Sequence, residues 1–142
     1  MRAALAVIVG IVVGLVASTA IGMVIGLIFP VQIRMQGTGS EAAAAAFGAL
    51  PTGLKIGIVL SWCGGALIGA LLAKRIAGRG WAAWTVAGLF AVYVLLTVLM
   101  LPMPGWMQAV AVVAPLVGGL IANHLVRDRV IEPTMEAPPA KP

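Results

Sequence analysis

The chain has 142 residues, of which 62% are hydrophobic and only 9% are charged, and its formal net charge is +5. Soluble domains carry about 25% charged residues, and the apolar residues here form blocks long enough to cross a bilayer, so this composition excludes an ordinary soluble protein. The basic residues flank these blocks without interleaved aromatic residues, and we therefore predict no binding of nucleic acid.

The first apolar block, residues 3–29, predicts a transmembrane helix that ends before Pro30. As a helix it would extend about 40 Å, so it must tilt or protrude from the bilayer. A secretory signal peptide is the competing interpretation, because Ser18-Thr19-Ala20 offers a plausible cleavage site. Since the apolar run continues past that site without a polar region, we expect a retained span.

Residues 30–53 predict the one substantial loop, which contains a short helix over about residues 41–50 near the membrane face. Ser40 can cap this helix, and Glu41 suits its positive first turn. We expect Phe47 and Leu50 to dip into the membrane. A flexible loop is the alternative interpretation.

Further spans are predicted at about residues 54–73, 81–101 and 106–126. Lys55 can extend to the headgroups at the start of the second span, and Pro115 should kink the fourth. Residues 127–142 predict a disordered tail. The predicted fold class is therefore an all-α membrane protein, in which residues 1–126 form an antiparallel bundle of four transmembrane helices.

The basic residues of the loops predict the orientation. With a cytoplasmic N-terminus, most of them share its side, and the positive-inside rule selects this arrangement. Both termini and the tail are then cytoplasmic, the 30–53 loop faces outward, and the protein belongs to the cytoplasmic (inner) membrane. The basic residues on the cytoplasmic side are Arg2, Lys74, Arg75, Arg79, Arg127, Arg129 and Lys141.

A small residue recurs at every fourth position of the first two spans, and residues four apart share one face of a helix. Such small-xxx-small faces let transmembrane helices approach closely. We predict that the two stripes pack against each other, although a contact between subunits and a ligand groove are alternatives. The stripes comprise Gly10, Gly14, Ser18, Gly22 and Gly26, and Gly53, Gly57, Ser61, Gly65 and Gly69.

The two stripes are palindromic, so they suit an antiparallel pair of helices. The predicted register sets Gly10 opposite Gly69, and it sets Ser18 opposite Ser61 near the middle of the membrane. A hydrogen bond between the two serines is expected there. The third and fourth spans carry weaker small-residue patterns. We expect them to pack less closely than the first two, and to do so more through bulky side chains.

No constellation of catalytic residues, metal ligands or cofactor-binding residues is recognisable, so we predict neither enzymatic activity nor a cofactor. Cys63 lies inside an apolar block and is interpreted as a small buried side chain. Asn123, His124 and Arg127 gather at the end of the fourth span, where they could contact a lipid headgroup. The alternative is that they are ordinary interfacial residues that suit a helix C-terminus.

Several segments resemble an uncharacterised family of small bacterial membrane proteins with four helices. They are Leu50-Pro51, the stretch SWCGGALIGALLAKRIAGR, and the Pro-x-Pro-x-Trp turn formed by Pro102, Pro104 and Trp106. Members often carry an acidic residue and a histidine late in the first span, and a histidine between the two prolines. This chain has IGMVIGLIFP and Met103 at those places. The resemblance implies the four-helix fold and a bacterial origin, and it implies no particular activity.

The leading hypothesis is a non-enzymatic membrane protein that acts as a scaffold, an accessory subunit or an oligomeric module. Its expected partners are membrane lipids and either further copies of the chain or another membrane protein. A lipid-binding protein is one alternative. The other is an oligomeric channel or small-molecule permease, with a polar lining of Ser18, Thr19, Ser61, Thr85, Thr97 and Gln108.

Overall fold

The computed structural model describes residues 2–30, 40–100 and 103–126, and every regular element in these ranges is an α-helix. All the helices except α2 are long and apolar enough to cross a membrane. The predicted all-helical fold with four long apolar helices packed together is confirmed. The helices are α1 (Arg2–Ile28), α2 (Ser40–Ala49), α3 (Thr52–Ala77), α4 (Gly80–Met100) and α5 (Gly105–Leu125).

Proline and glycine mark the ends of the helices. Pro51 and Pro104 stand directly before α3 and α5 with extended backbones. Gly78 follows α3 with a φ of 68°, a left-handed conformation that favours glycine, and it donates its N–H to the carbonyl of Lys74. Because α3 continues to Ala77 rather than to the predicted residue 73, Lys74 and Arg75 belong to the helix and not to the following loop.

The helices α3 and α4 form the centre of the bundle. α1 contacts both of them on one side, and α5 contacts both on the other, so that α1 and α5 do not meet. α1 starts, α3 ends, α4 starts and α5 ends at the same end of this bundle. We call it the basic end, because the described residues Lys74, Arg75 and Arg79 all lie there.

Side-chain size differs between the two halves of the core. Near the basic end the buried side chains are those of Ala70, Ala73, Ala82, Ala83, Val86 and Ala122. In the other half the core contains larger side chains, including Phe90 and Met107. The side chains between the helices are therefore smaller near the basic end than in the other half of the core.

Glycine allows the backbones of α1 and α3 to touch in the half of the bundle nearer the basic end. A Cβ atom added at Gly10 would lie 2.8 Å from the carbonyl oxygen of Gly69, and one added at Gly14 would lie 2.9 Å from that of Gly65. Real Cβ atoms essentially never come so close to another heavy atom. We call the contact of these four residues the glycine seam.

The other half of the predicted stripe pairing differs in the structure. Ile25 lies over Gly57, the ring of Phe29 lies over Gly53, and Gly26 has no neighbour within 4 Å of an added Cβ. Gly22 faces Ser61 rather than Gly57, at 4.0 Å. Large side chains of α1 therefore fill the space between the helices in this half, where the two backbones do not touch.

The expected hydrogen bond between the serines is absent, and both residues are among those described. Ser61 donates its hydroxyl to the carbonyl of Ile58 in its own helix, at 2.7 Å. Ser18 lies against Gly65 instead, since a Cβ added at Gly65 would be 2.6 Å from the Cβ of Ser18. The level pairing that the palindrome predicts is therefore kept at Gly10–Gly69 and Gly14–Gly65 and is lost from the serines onward.

The helix α2 lies in the segment where a short helix over about residues 41–50 is predicted. It is attached to the bundle by Phe47, which packs against the core, and by the buried Leu50 that follows it. Lys55 donates its ammonium to the carbonyl of Gly48 at 2.9 Å. This lysine thus binds a carbonyl in the last turn of α2.

The helix α5 packs more closely than its weak small-residue pattern predicts. A Cβ added at Gly118 would lie 2.7 Å from the carbonyl oxygen of Cys63 in α3, and one added at Gly119 would collide with Ala87 of α4. Pro115 is buried, and α5 continues as a helix on both sides of it. Two adjacent glycines thus bring α5 against both central helices.

We predict opposite effects for the same substitution at two positions of the α1 stripe. Gly14→Ala places a methyl group against the backbone of α3 and should lower the free energy of unfolding by about 1–3 kcal/mol. Gly26→Ala enters open space and should be neutral or stabilise the helix by up to about 1 kcal/mol. Unfolding followed by circular dichroism in detergent micelles would measure both, and equal stability of the two variants would contradict the glycine seam.

Candidate functional site

The most unusual polar group among the described residues is the side chain of Lys74. Only 2% of this residue is exposed, and it lies within α3 near the basic end. A buried ammonium is costly unless hydrogen-bond acceptors replace the water it has lost. The surroundings of Lys74 therefore have to supply such acceptors.

Asn123 of α5 supplies two acceptors to this ammonium. Lys74 Nζ donates to the backbone carbonyl oxygen of Asn123 at 2.7 Å and to its side-chain oxygen Oδ1 at 2.8 Å. The carbonyl belongs to the last turn of α5, where helix carbonyls lack partners within their own helix. This contact thus stabilises the buried ammonium of Lys74 and gives a hydrogen bond to an otherwise unpaired carbonyl at the end of α5. It also joins α3 to α5.

The residues predicted to contact a lipid headgroup do not share one environment in the structure. Asn123 is half-buried and engaged by Lys74, whereas His124 is exposed at the end of α5. Arg127 lies outside the described residues. Sequence reasoning missed Lys74 because it placed this residue in a loop. The usable signal was its spacing: Lys74 follows the buried Ala66 and Ala70 at intervals of four, on the same face of α3.

The other cations of the basic end are in different surroundings. Arg75 and Arg79 are exposed, and neither forms a hydrogen bond or an ion pair within the described part of the chain. Arg75 also borders a groove of about 300 Å³ between α1 and α3 whose other walls are apolar. The basic end therefore combines one buried, structural cation with two cations at the surface.

Four of the five hydroxyl groups proposed as a channel lining, all except that of Ser18, are engaged within their own helices. Thr19, Thr85 and Thr97 donate to the carbonyls four residues earlier, at 2.9 to 3.0 Å. Gln108 donates to the carbonyl of Met103 in the preceding turn. Together with the bond of Ser61 to Ile58, these contacts direct the polar groups toward backbone and not toward a shared cavity.

The described residues contain no group of three or more His, Cys, Asp or Glu side chains that could hold a metal ion. Cys63 is a half-buried free thiol. The exposed guanidinium groups of Arg75 and Arg79 are donors of a kind that can bind an anion. Comparison with protein-family models, with curated proteins and with solved structures finds no match for this chain. The family resemblance noted above stays a prediction.

We predict that Lys74 and Asn123 are energetically coupled. Asn123→Leu leaves the buried ammonium without its amide acceptor and should lower the free energy of unfolding by about 1–3 kcal/mol. His124→Leu, at the adjacent exposed position, is the matched control and should change stability by less than about 0.5 kcal/mol. In the Lys74→Met/Asn123→Leu double variant, part of the loss should be recovered.

The measurement is a double-mutant cycle on the protein in detergent micelles. A coupling energy of about 0.5–3 kcal/mol is the expected result. Strictly additive effects of the two substitutions would show that the interaction between Lys74 and Asn123 contributes nothing to stability.

Proposed function

We propose that this protein is a non-enzymatic module of the bacterial cytoplasmic membrane, with both termini in the cytoplasm, that works by assembly. It would act as a scaffold, an accessory subunit or an oligomer. Membrane insertion is supported by the four apolar helices, and the orientation by the cations gathered at the basic end. Assembly is supported by the exposed apolar face of α1.

The helix α1 is the least buried of the four long helices. In an apolar window of 18 residues, 22% of α1 is buried within the chain, against 44% of α3 and 39% of α4 and α5. It contacts α3 and α4 along one side and leaves apolar side chains such as Ile8, Val12 and Val16 exposed. This surface needs a membrane or another helix to cover it.

A second feature favours another helix over lipid alone. A shallow groove of about 400 Å³ lies on α1, and all its lining residues come from this one helix: Leu15, Val16, Thr19, Ala20 and Met23. Ala20 and Thr19 form a small-residue depression between larger neighbours, a shape that lets a second transmembrane helix approach closely. We call it the α1 groove. The stripe residue Gly26 is also open toward the outside.

Channel activity has less support than assembly. Four of the five hydroxyls that would line a pore, those of Thr19, Ser61, Thr85 and Thr97, are already hydrogen-bonded to their own helices. An exposed threonine whose hydroxyl is bonded to the backbone is compatible with a lipid-facing or helix-facing surface, so it does not require water.

We predict that cysteine cross-linking will detect self-assembly through the α1 groove. In a Cys63→Ser background, Ala20→Cys should form disulfide-linked dimers in native membranes under mild oxidation. Leu96→Cys on α4 is the matched control. It is exposed, and it lies at a similar depth because α4 runs beside α1, with Val86 next to Gly10 and Phe90 next to Gly14.

Native mass spectrometry of the gently extracted protein is the second measurement. A defined homo-oligomer together with cross-links at position 20 alone would support the oligomeric module. A complex with one second protein of fixed stoichiometry, without cross-links, would support the accessory subunit. A bare monomer without cross-links, or equal cross-linking at positions 20 and 96, would contradict assembly through this face.

A further inference from the structure

A second groove, of about 300 Å³, runs along the outside of the contact between α1 and α3. It is lined by Val13 of α1 and by Ile68, Leu71, Leu72 and Arg75 of α3. The four α3 residues recur at spacings of three and four, so they form one stripe along the helix. From Ile68 to Arg75 this stripe extends about 10 Å along the axis. We call this site the Arg75 groove.

The glycine seam explains why this groove exists. Gly10 and Gly14 let α1 lie directly on α3, so that the side chain of Val13 stands beside the seam as one wall. The stripe of Ile68, Leu71 and Leu72 forms the facing wall. Both walls are apolar over their whole length, and they are continuous with the apolar surface of the two helices.

Arg75 is the only polar residue among the described residues that line the groove, and it lies at the end nearest the basic end of the bundle. It is exposed and forms no hydrogen bond or ion pair within the described residues. The neighbouring Lys74 differs in this respect, because its ammonium is bound by Asn123. The guanidinium group of Arg75 can therefore direct its planar set of donors to a ligand.

The charge around the groove favours an anion. Arg79 adds a second exposed cation one helical turn further along the chain. Glu41, the only acidic residue within the described ranges, belongs to α2 at the opposite end of the bundle. No carboxylate in the described structure thus competes for Arg75.

An apolar groove that ends at an exposed guanidinium group, with no partner among the described residues, matches the chemistry of an anionic phospholipid. Guanidinium binds phosphate through paired hydrogen bonds, and an acyl chain fits an apolar groove open to the bilayer. In the proposed orientation the basic end also lies at the leaflet where positive residues meet anionic lipids. A protein helix would need its own carboxylate at the same depth in order to engage Arg75.

We propose that the Arg75 groove binds one anionic phospholipid, with its phosphate on Arg75 and one acyl chain along Val13, Ile68 and Leu72. This inference rests on the proposed membrane insertion. It does not depend on assembly through the α1 groove. The two grooves share no residue.

The test is a lipid titration of the purified full chain in detergent, followed by native mass spectrometry. Phosphatidylglycerol should bind with a stoichiometry of one, and phosphatidylcholine of the same chain length should bind more weakly. Arg75→Gln should weaken phosphatidylglycerol binding about fivefold, which is the effect expected for one surface cation. Arg79→Gln removes the same charge outside the groove and should change the affinity less than twofold.

A third variant tests the acyl-chain part of the site while keeping every charge. Ile68→Trp fills the groove at an exposed position and should also weaken phosphatidylglycerol binding. Glycerol phosphate, which has the headgroup chemistry without a chain, should not compete at millimolar concentration. Circular dichroism of each variant establishes that the bundle is still folded.

Several outcomes would overturn the proposal. Equal losses in Arg75→Gln and Arg79→Gln would indicate diffuse attraction by the basic end and no site. Equal binding of the two phospholipids would show that the guanidinium group does not recognise the charge of the lipid. Unchanged binding in Ile68→Trp would show that the acyl chain does not occupy the groove. Extraction of the protein from proteoliposomes by alkaline carbonate would instead refute membrane insertion, and with it both proposals, whereas failed cross-linking at position 20 would affect assembly alone.

Discussion

The contact between the backbones of α1 and α3 is the constraint on which the other features of the bundle depend. Gly10, Gly14, Gly65 and Gly69 present no side chains, so the two helices touch through main-chain atoms. In a bilayer, where apolar surface gains little by leaving lipid, such close van der Waals contact is a main source of helix association. The outer face of α1 and the walls of the Arg75 groove both follow from it.

The basic end uses its cations in two different ways. Lys74 is buried and completes the contact between α3 and α5 by binding the end of α5 through Asn123. Arg75, one residue later, points away from this contact because successive helical residues are turned by about 100°. Neighbouring basic residues in the sequence therefore have different surroundings: Lys74 joins two helices, whereas Arg75 is exposed and is the residue at which we propose ligand binding.

The polar groups within the spans contribute little surface for chemistry. Each hydroxyl of Thr19, Ser61, Thr85 and Thr97 is bound to a carbonyl of its own helix. In an apolar environment, this bond avoids the free-energy cost of a hydroxyl without a hydrogen-bond partner. We propose binding at the exposed apolar face of α1 and at the exposed guanidinium groups of the basic end.

The sequence by itself determined the number of long helices, their approximate ends and the small-residue stripes. These features depend on local signals: apolar run length, prolines before α3 and α5, and a glycine that can adopt the left-handed conformation after α3. It also pointed to Asn123 as a polar residue of interest, through its position at the end of the fourth span. Such signals act within a few residues, so they can be interpreted without knowing which helices are neighbours.

Only the tertiary structure decided which half of the stripe brings backbones together, where the hydroxyl of Ser61 bonds, and that Lys74 is buried. Each of these depends on the distance between helices, which is set by the sizes of all the side chains between them at once. Ile25 and Phe29 lie between α1 and α3 at one end, while alanines are the main buried side chains at the other. There Asn123 of α5 lies within hydrogen-bonding distance of Lys74, 49 residues earlier in the chain, and no local pattern contains such a contact.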